Sequence, residues 1–527
     1  MRVHDTLRRA LPIALLTLGL APAGPAWAAD IHALVVGIDK YAQGRNLEGA
    51  VNDADAIANA MRGLGAKVTL LRNGEASRDA ILGGWNHIIE TAQPGDTLVF
   101  TYAGHGQQQP ERVKGSEKKG KDQLLQLGGY IDKEGNPGQR ERILDDEIYD
   151  LILKASTRKL RVILVIDSCH SGNMYRSLSP EAGVNFRYGG EGQPSANDPW
   201  NGKTLPPEGP LPENVFFYSA SQPDEKVPEI PHNGKQHGAL SVAFVEALTG
   251  GAAKKGDSPF ITHEELTLYL RTRVSNFGAQ IQNPDVEPRS QYDSPVLPVV
   301  TRAAGTVPQP DQRPEVTLRV TGVAAEKLRP VLAGTPGLRI AGEGRADLIW
   351  DAARREAVDG RGHVAATNIG EAGLPGLIQK HQALTWLNQQ PVTPPLDFQI
   401  TPARGEYHRG DEVRFSIGGV DGLSLVVFNL AGDGTVQPVW HGSVPGGTGP
   451  QGRFDLGPSP VTPPFGADNV IIVAGRGDPG PLMTRLAELD GKAEPWAALR
   501  AATAWLKTVK DGRIGQQVIV SREGKAP

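Results

Sequence analysis

The chain has 527 residues, with 59 acidic against 55 basic side chains, a formal net charge of −4 and a single cysteine. This balance leaves no basic excess of the kind that favours nucleic acid. One cysteine also rules out an intramolecular disulfide, so Cys169 is either an inert core residue or a working thiol.

At the start of the chain Arg2, Arg8 and Arg9 precede the apolar run Leu11 to Leu20, and Ala26-Trp27-Ala28 places small residues where a signal peptidase inspects the chain. Residues 1–28 therefore read as a signal peptide cut after Ala28, and the mature protein as exported, periplasmic or secreted. The Arg8-Arg9 pair is a weak sign of twin-arginine export. An uncleaved anchor is the alternative, but the run is about half of the ~20 residues a spanning helix needs. No later stretch is long and apolar enough to cross a membrane.

From Ile31 to about Pro298 strands and helices alternate. Ala33 to Val36 reads as a buried strand; Ala54, Ile57, Ala58, Met61 and Leu64 then recur at helical spacing until Gly65. Lys67 to Leu71 is a second strand and Arg78 to Thr91 a second helix. A strand leading to His105, a helix from Asp145 to Leu153, a strand leading to Cys169, a strand at Val215 to Tyr218 and a helix from Leu240 to Leu248 follow. Short apolar strands separated by helices imply an α/β fold with a mostly parallel sheet flanked by helices. Reactive residues of such sheets gather beyond the carboxyl ends of the strands, where Cys169 and His105 both fall.

The segment Asp167-Ser-Cys-His-Ser-Gly172 is poor core material, which turns Cys169 into a candidate nucleophile, and Tyr102-Ala-Gly-His-Gly106 supplies His105 as a candidate base. His170 is adjacent but, with strand geometry, points away from the Cys169 side chain. An imidazolium near a thiol lowers its pKa from ~8.5 and supplies thiolate. The main-chain N–H groups of Cys169 and Gly106 are placed to form an oxyanion hole, and glycine at 106 lets a carbonyl approach bare backbone. Two irregular segments interrupt the core, Gln107 to Leu127 with its basic run, and Asn173 to Pro212.

The two catalytic segments, with His32-Ala-Leu-Val-Val-Gly-Ile-Asp-Lys-Tyr41, Asn52-Asp53-Ala54, Ser219-Ala-Ser-Gln-Pro-Asp224 and His237-Gly238, resemble the caspase-like cysteine peptidases, in the metacaspase and bacterial orthocaspase branch. The resemblance covers roughly half the chain. It implies a cysteine-type endopeptidase with a Cys169–His105 dyad and a protein or peptide substrate. It also implies an acidic pocket for Arg or Lys, whose aspartates match Asp53 and Asp167. Asp53 reads equally as a carboxylate in a helix first turn and Asp167 as a loop cap; a pocket serine of the family is replaced by Ala103. Many relatives bind calcium through four aspartates; three match Asp132, Asp145 and Asp146, but the fourth position falls on or near Arg176, which cannot ligate a cation. Asp145 and Asp146 also suit the start of the following helix.

The peptidase domain is expected over residues 29–300 and a proline-containing linker over 301–314. A small α/β module over 315–390 and a β-rich C-terminal domain over 391–527 would follow, the latter with strands near Val413, Leu423, Val436, Val470 and Val518 and helices from Leu482 and Pro495. Analogy with other bacterial caspase-like chains gives these modules a binding or targeting role. A competing reading is a catalytically silent scaffold whose C-terminal modules bind a cell-envelope partner. An active enzyme would meet its own Arg112, Lys114, Lys118, Lys119 and Lys121 in one loop and Arg176, Arg187 and Lys203 in the other, so self-cleavage in an exposed loop is expected.

Overall fold

The computed structural model describes residues 29–111, 120–169, 185–194, 209–220, 227–232, 235–250, 258–278, 282, 284–299, 313–342, 346–360, 364–389, 396–402, 406–446 and 453–524. Residues 1–28, expected to be a signal peptide, most of the expected linker, and Arg112, Lys114, Lys118, Lys119, His170, Arg176 and Lys203 lie outside the described residues.

The expected alternation is present. It runs β1 (Ile31–Gly37), α1 (Ala50–Gly63), β2 (Lys67–Arg72), α2 (Arg78–Thr91), β3 (Thr97–Ala103), β4 (Gly106–Pro110), β5 (Lys121–Gln126), β6 (Arg142–Leu144), α3 (Asp145–Thr157) and β7 (Arg161–Asp167). Then come β8 (Tyr188–Glu191), β9 (Val215–Ser219), β10 (Glu229–His232), β11 (Lys235–Gly238), α4 (Ala239–Gly250), β12 (Phe260–Thr262), α5 (His263–Gly278), β13 (Asp285–Glu287) and β14 (Pro295–Pro298). The main sheet has the order β13-β9-β7-β3-β1-β2. Its strands are parallel except β13, which runs antiparallel to β9 at the edge.

Both faces are covered, which is why the strands read as continuous apolar runs. Alternate residues of β1 go to opposite sides: Ala33 and Val35 join Ile57 and Met61 of α1 with Phe244 of α4. Leu34 and Val36 join Ile81 and Trp85 of α2 with Leu151 of α3. Each fully buried aliphatic side chain contributes ~1.5–3 kcal/mol relative to exposure, so the sheet is a stiff platform for whatever follows its strand ends.

The segment from Gln107 to Leu127 corrects the sequence reading. Its described residues are not an irregular loop, since β4 and β5 pair antiparallel within a second sheet of order β6-β5-β4-β8. Lys121 belongs to β5 and pairs with Glu191 at 2.8 Å. Its first strand escapes hydropathy patterning because its buried residues are polar: Gln107, Gln108 and Gln109 are buried, and Gln109 Nε2 donates to Asp122 at 3.0 Å.

Beyond residue 313 the strands Leu338–Ala341, Val316–Thr321, Leu348–Asp351, Glu356–Asp359 and Val364–Ala366 form a five-stranded sheet in that order. The β-rich region then comprises a three-stranded and a five-stranded sheet, with helices Gly480–Leu489 and Pro495–Leu506 against the latter. The helix Leu374–Gln389 serves both parts. Its Leu374, Leu377 and Ile378 enter the core of the small module. Ala383 and Trp386 enter the core of the β-rich region, where the Trp386 and Trp496 rings are 5.3 Å apart. Between them Lys380 is buried, donates to the Ala431 carbonyl at 3.0 Å and to that of Ala467, and is pulled down to about 8 by its burial.

A large side chain on this shared helix probes its packing against the β-rich region. Trp386→Ala is expected to destabilise the C-terminal region by ~3–5 kcal/mol, the range for a buried Trp truncation, as measured by urea unfolding. A loss below about 1 kcal/mol would show that this helix face is not packed as described.

Candidate active site

β3 and β7 are neighbours in parallel register, with Ala103 opposite Asp167. His105 and Cys169 each follow two residues later, so the pairing itself delivers both beyond the same edge of the sheet.

Tyr41 and the chain around Arg45 hold the histidine. The His105 main-chain N–H donates to the Tyr41 hydroxyl at 2.8 Å, and the Tyr41 ring lies 4.4 Å from the imidazole. Nε2 is 2.7 Å from the Arg45 carbonyl, an acceptor, which assigns the proton to Nε2. Nδ1 is then a lone pair, buried and with no hydrogen-bond partner among the described residues. Burial lowers the imidazole to about 4.

Cys169 is wholly buried, contrary to the expectation of a strand-end thiol outside the packed core, and burial pushes it up to about 12. Its Sγ accepts the Val227 N–H at 2.7 Å. In this state thiol and imidazole are both neutral, rather than the thiolate–imidazolium pair the sequence suggested, because protein atoms replace the water that would stabilise charge.

The segment that excludes the water carries Arg187. The main-chain N–H groups of Gly106 and Cys169, the expected oxyanion donors, both point at its carbonyl oxygen, each at 3.0 Å. A Cβ on residue 106 would overlap the Cys169 carbonyl, so only glycine lets the two backbones meet this closely.

Its side chain enters a pocket of three buried carboxylates. Asp53, in the first turn of α1, pairs through Oδ2 with Nη2 of Arg187 and accepts the Gly238 N–H at 2.9 Å, while Oδ1 is 2.8 Å from His237 Nδ1. Asp167 Oδ1 is 3.2 Å from Nη1, and its main-chain carbonyl accepts from Nη1 at 3.0 Å. Asp167 Oδ2 accepts the Ser241 N–H and hydroxyl at 2.8 and 2.7 Å. Glu229 stands 3.8 Å from Nη2 and accepts the Gly49 N–H at 2.6 Å. A Cβ at Gly238 would strike both the Asp167 carboxylate and the guanidinium. Burial pushes the Asp53 and Glu229 carboxyls up, and the Arg187 charge pulls both back down.

Thus the structure brings together Cys169, His105, Gly106, Asp53 and Asp167. Ala103 packs beside Leu47 and Ala50. Sequence reasoning missed Tyr41, the Arg45 carbonyl, Val227, Glu229, His237 and Ser241 as neighbours of the site. It also placed Arg187 in an exposed loop, whereas the residue is fully buried because its charge is matched by three carboxylates. His237-Gly238 was noted only as a motif; the Glu229 segment carries no local signature.

A family model described as a caspase domain, of peptidase group C14, matches residues 31–294, half of the chain. The chain belongs to the caspase-domain family. Among curated relatives, a metacaspase-1 of Eremothecium gossypii is 24% identical over 300 residues, covering 48% of this chain and 63% of its own. A metacaspase-1 of Saccharomyces cerevisiae is 30% identical over 152 residues, covering 27% of this chain and 33% of its own. The chain therefore spans less than two thirds of the length of these relatives. Among solved structures, a protein from Geobacter sulfurreducens aligns over 51% of this chain and 99% of its own at 19% identity with a TM-score of 0.38. Caspase-1 from Spodoptera frugiperda aligns over 52% and 92% at 12% identity with a TM-score of 0.32.

Two of the three carboxylates that the metacaspase resemblance implies for calcium, Asp145 and Asp146, are adjacent in the first turn of α3. Asp145 opens α3, accepts the Gln123 N–H at 2.9 Å and is 3.1 Å from the Asp146 N–H. Asp132 lies in a turn, its N–H on Gln43. Among the described residues the three ligand-type atoms found within 4.8 Å of one another belong instead to Asp30, His32 and Asp96. There Asp96 closes its own turn by accepting the Gln93 N–H and is 3.3 Å from His32.

A base whose Nε2 is tied to a carbonyl and whose ring is buried should resist protonation. In the Cys169→Ala variant, an NMR titration of His105 is expected to show a midpoint near pH 4, with the neutral form present throughout above it, since burial lowers this pKa. A midpoint at the ordinary ~6.5 would show that water reaches the ring.

Proposed function

We propose that this protein is an exported cysteine endopeptidase that cuts protein substrates after arginine. The observation that carries the reading is the convergence of two main-chain donors, a thiol, an imidazole with a free Nδ1 and three carboxylates around one arginine residue.

Cys169 Sγ attacks the carbonyl carbon while its proton passes to His105 Nδ1. The Arg45 carbonyl keeps the ring in the tautomer that can accept it and steadies the imidazolium that forms. Charge on the carbonyl oxygen is taken up by the Gly106 and Cys169 N–H groups, donors typically worth ~2.7–4 kcal/mol each. His105 returns the proton to the leaving amine, and water then hydrolyses the thioester.

Asp53, Asp167 and Glu229 would select the residue before the scissile bond. A planar guanidinium can meet carboxylates from several sides at once, whereas lysine offers a point charge, so arginine is favoured over lysine. Export is supported by the sequence of residues 1–28 alone. Among the described residues no helix is long and apolar enough to cross a membrane.

Hydrolysis of an Arg-ended fluorogenic peptide is expected to vanish in Cys169→Ala and His105→Ala while far-ultraviolet circular dichroism is unchanged. Retained turnover in Cys169→Ala would end the peptidase reading. Asp53→Asn and Asp167→Asn are each expected to lower kcat/KM for Arg peptides by about 100-fold or more, the scale of losing one partner of a buried charge pair. Full activity of both variants would place the specificity pocket elsewhere.

A further inference from the structure

The C-terminal region holds a second enclosure, of about 110 Å³, that the peptidase chemistry does not use. It lies where the small sheet, the helix Leu374–Gln389 and the five-stranded sheet of the β-rich region meet. Leu377, Lys380, His381, Leu384, Thr385 and Asn388 recur at three- and four-residue spacing, so one stripe of the helix faces it. On the strands Ala467–Arg476 and Lys510–Arg522, Asn469 stands opposite Val518, and Ala467 and Gln516 each lie two residues along from one of them. These four side chains therefore share one sheet face. Leu348 and Asp359, opposite each other in the small sheet, close the third side. His381, Thr385 and Asn388 are only partly buried, so the enclosure reaches the surface along the helix.

Two polar groups in these walls have unused capacity. Lys380 Nζ carries three N–H donors, of which two go to the main-chain carbonyls of Ala431 and Ala467. Both acceptors are neutral, and Asp468 and Asp433 act on the buried ammonium through their fields alone. A buried cation is ordinarily paired directly with an anion. Gln516 is 6% exposed, and its Oε1 has no hydrogen-bond partner among the described residues. An amide oxygen left bare in an interior is costly. Asp359 adds a buried carboxylate, and Leu348, Leu384 and Val518 make the rest of the wall apolar.

We infer that this enclosure binds a small aliphatic α-amino acid, with its carboxylate on Lys380, its ammonium toward Gln516 Oε1 and Asp359, and its alkyl group among Leu348, Leu384 and Val518. The inference is independent of the peptidase reading, since the enclosure is built from residues between Leu348 and Val518.

Charge selects the class. A simple carboxylate would answer Lys380 but leave Gln516 Oε1 without a donor, and a simple amine would add a second cation beside the first. A zwitterion supplies an anion and a donor together and brings no net charge into a site poor in water. Volume selects the size. An apolar cavity of roughly 150 Å³ takes benzene, so the smaller one here suits about five or six non-hydrogen atoms, as in alanine.

The test is isothermal titration calorimetry and thermal unfolding of the full chain with each enantiomer of alanine, and with propionate and alaninamide as controls. Saturable binding of at least one enantiomer is expected, with a matching rise in melting temperature. Propionate lacks the ammonium and alaninamide the carboxylate, so each is expected to bind at least about 10-fold more weakly, the scale of a lost charge-assisted hydrogen bond. Gln516→Leu nearly keeps the side-chain volume and strands no partner, so its urea midpoint is expected to be unchanged or higher while its affinity for alanine falls about 10-fold. Lys380→Met, with its fold checked by circular dichroism, is expected to abolish binding. Neither saturable heat nor a melting shift with either enantiomer at millimolar concentration overturns the inference. So does propionate binding as tightly as alanine, or undiminished alanine binding by folded Gln516→Leu.

Discussion

Three carboxylates that come from α1, β7 and β10 share one site closed to water, and a cation has to stand among them. At an effective dielectric near 20, two unit charges 4 Å apart interact by about 4 kcal/mol, so three like charges without a counter-ion could not all stay ionised. Arg187 resolves this by pairing with Asp53, Asp167 and Glu229. Gly238, His237, Ser241 and Gly49 add hydrogen bonds to the three carboxylates. A buried ion cluster of this kind is a poor source of net stability, because desolvation offsets the attraction, but it is a strict chooser of what fills it. On the proposed reading, selectivity for a cation would be built before any substrate arrives.

The fold was legible where chemistry and periodicity coincide. β1, β3 and β7 are apolar on both faces, and α1 and α2 show clean helical spacing, so their order and the strand-end placement of His105 and Cys169 followed from the residues. The small sheet β6-β5-β4-β8 was not legible, since Gln107, Gln108 and Gln109 make β4 polar although they are buried, and Gln109 bonds Asp122 of β5. In the C-terminal region the strand Arg453–Pro460 reads as a turn-rich segment because of its Gly457 and Pro458, yet it pairs along Glu412–Gly418.

At the site, Asp53 and Asp167 were legible only through the family motifs. Glu229 and Arg187 were not, because a contact across 134 residues, as between Arg187 and Asp53, leaves no local trace. A lone arginine in a Gly-, Pro- and Asn-rich stretch looks like solvent-facing charge. Only the folded pairing shows it to be fully buried.

Pocket occupancy and dyad ionisation are physically one variable. The same segment that puts a guanidinium among the carboxylates covers Cys169 and contributes to the enclosure of His105, and burial is the largest cause of both displaced pKa values, about 12 for the thiol and about 4 for the imidazole. Were water to reach both groups, the thiol would move toward ~8.5 and the imidazole toward ~6.5, narrowing the gap that disfavours the ion pair. Within the plugged state, by contrast, the carbonyl is already fixed on its two donors, and positioning of this kind can lower a barrier by ~7–11 kcal/mol without a preformed thiolate. On the proposed reading, attack in the enclosed site would start from a neutral thiol and imidazole, whereas a site open to water would favour the ionised pair.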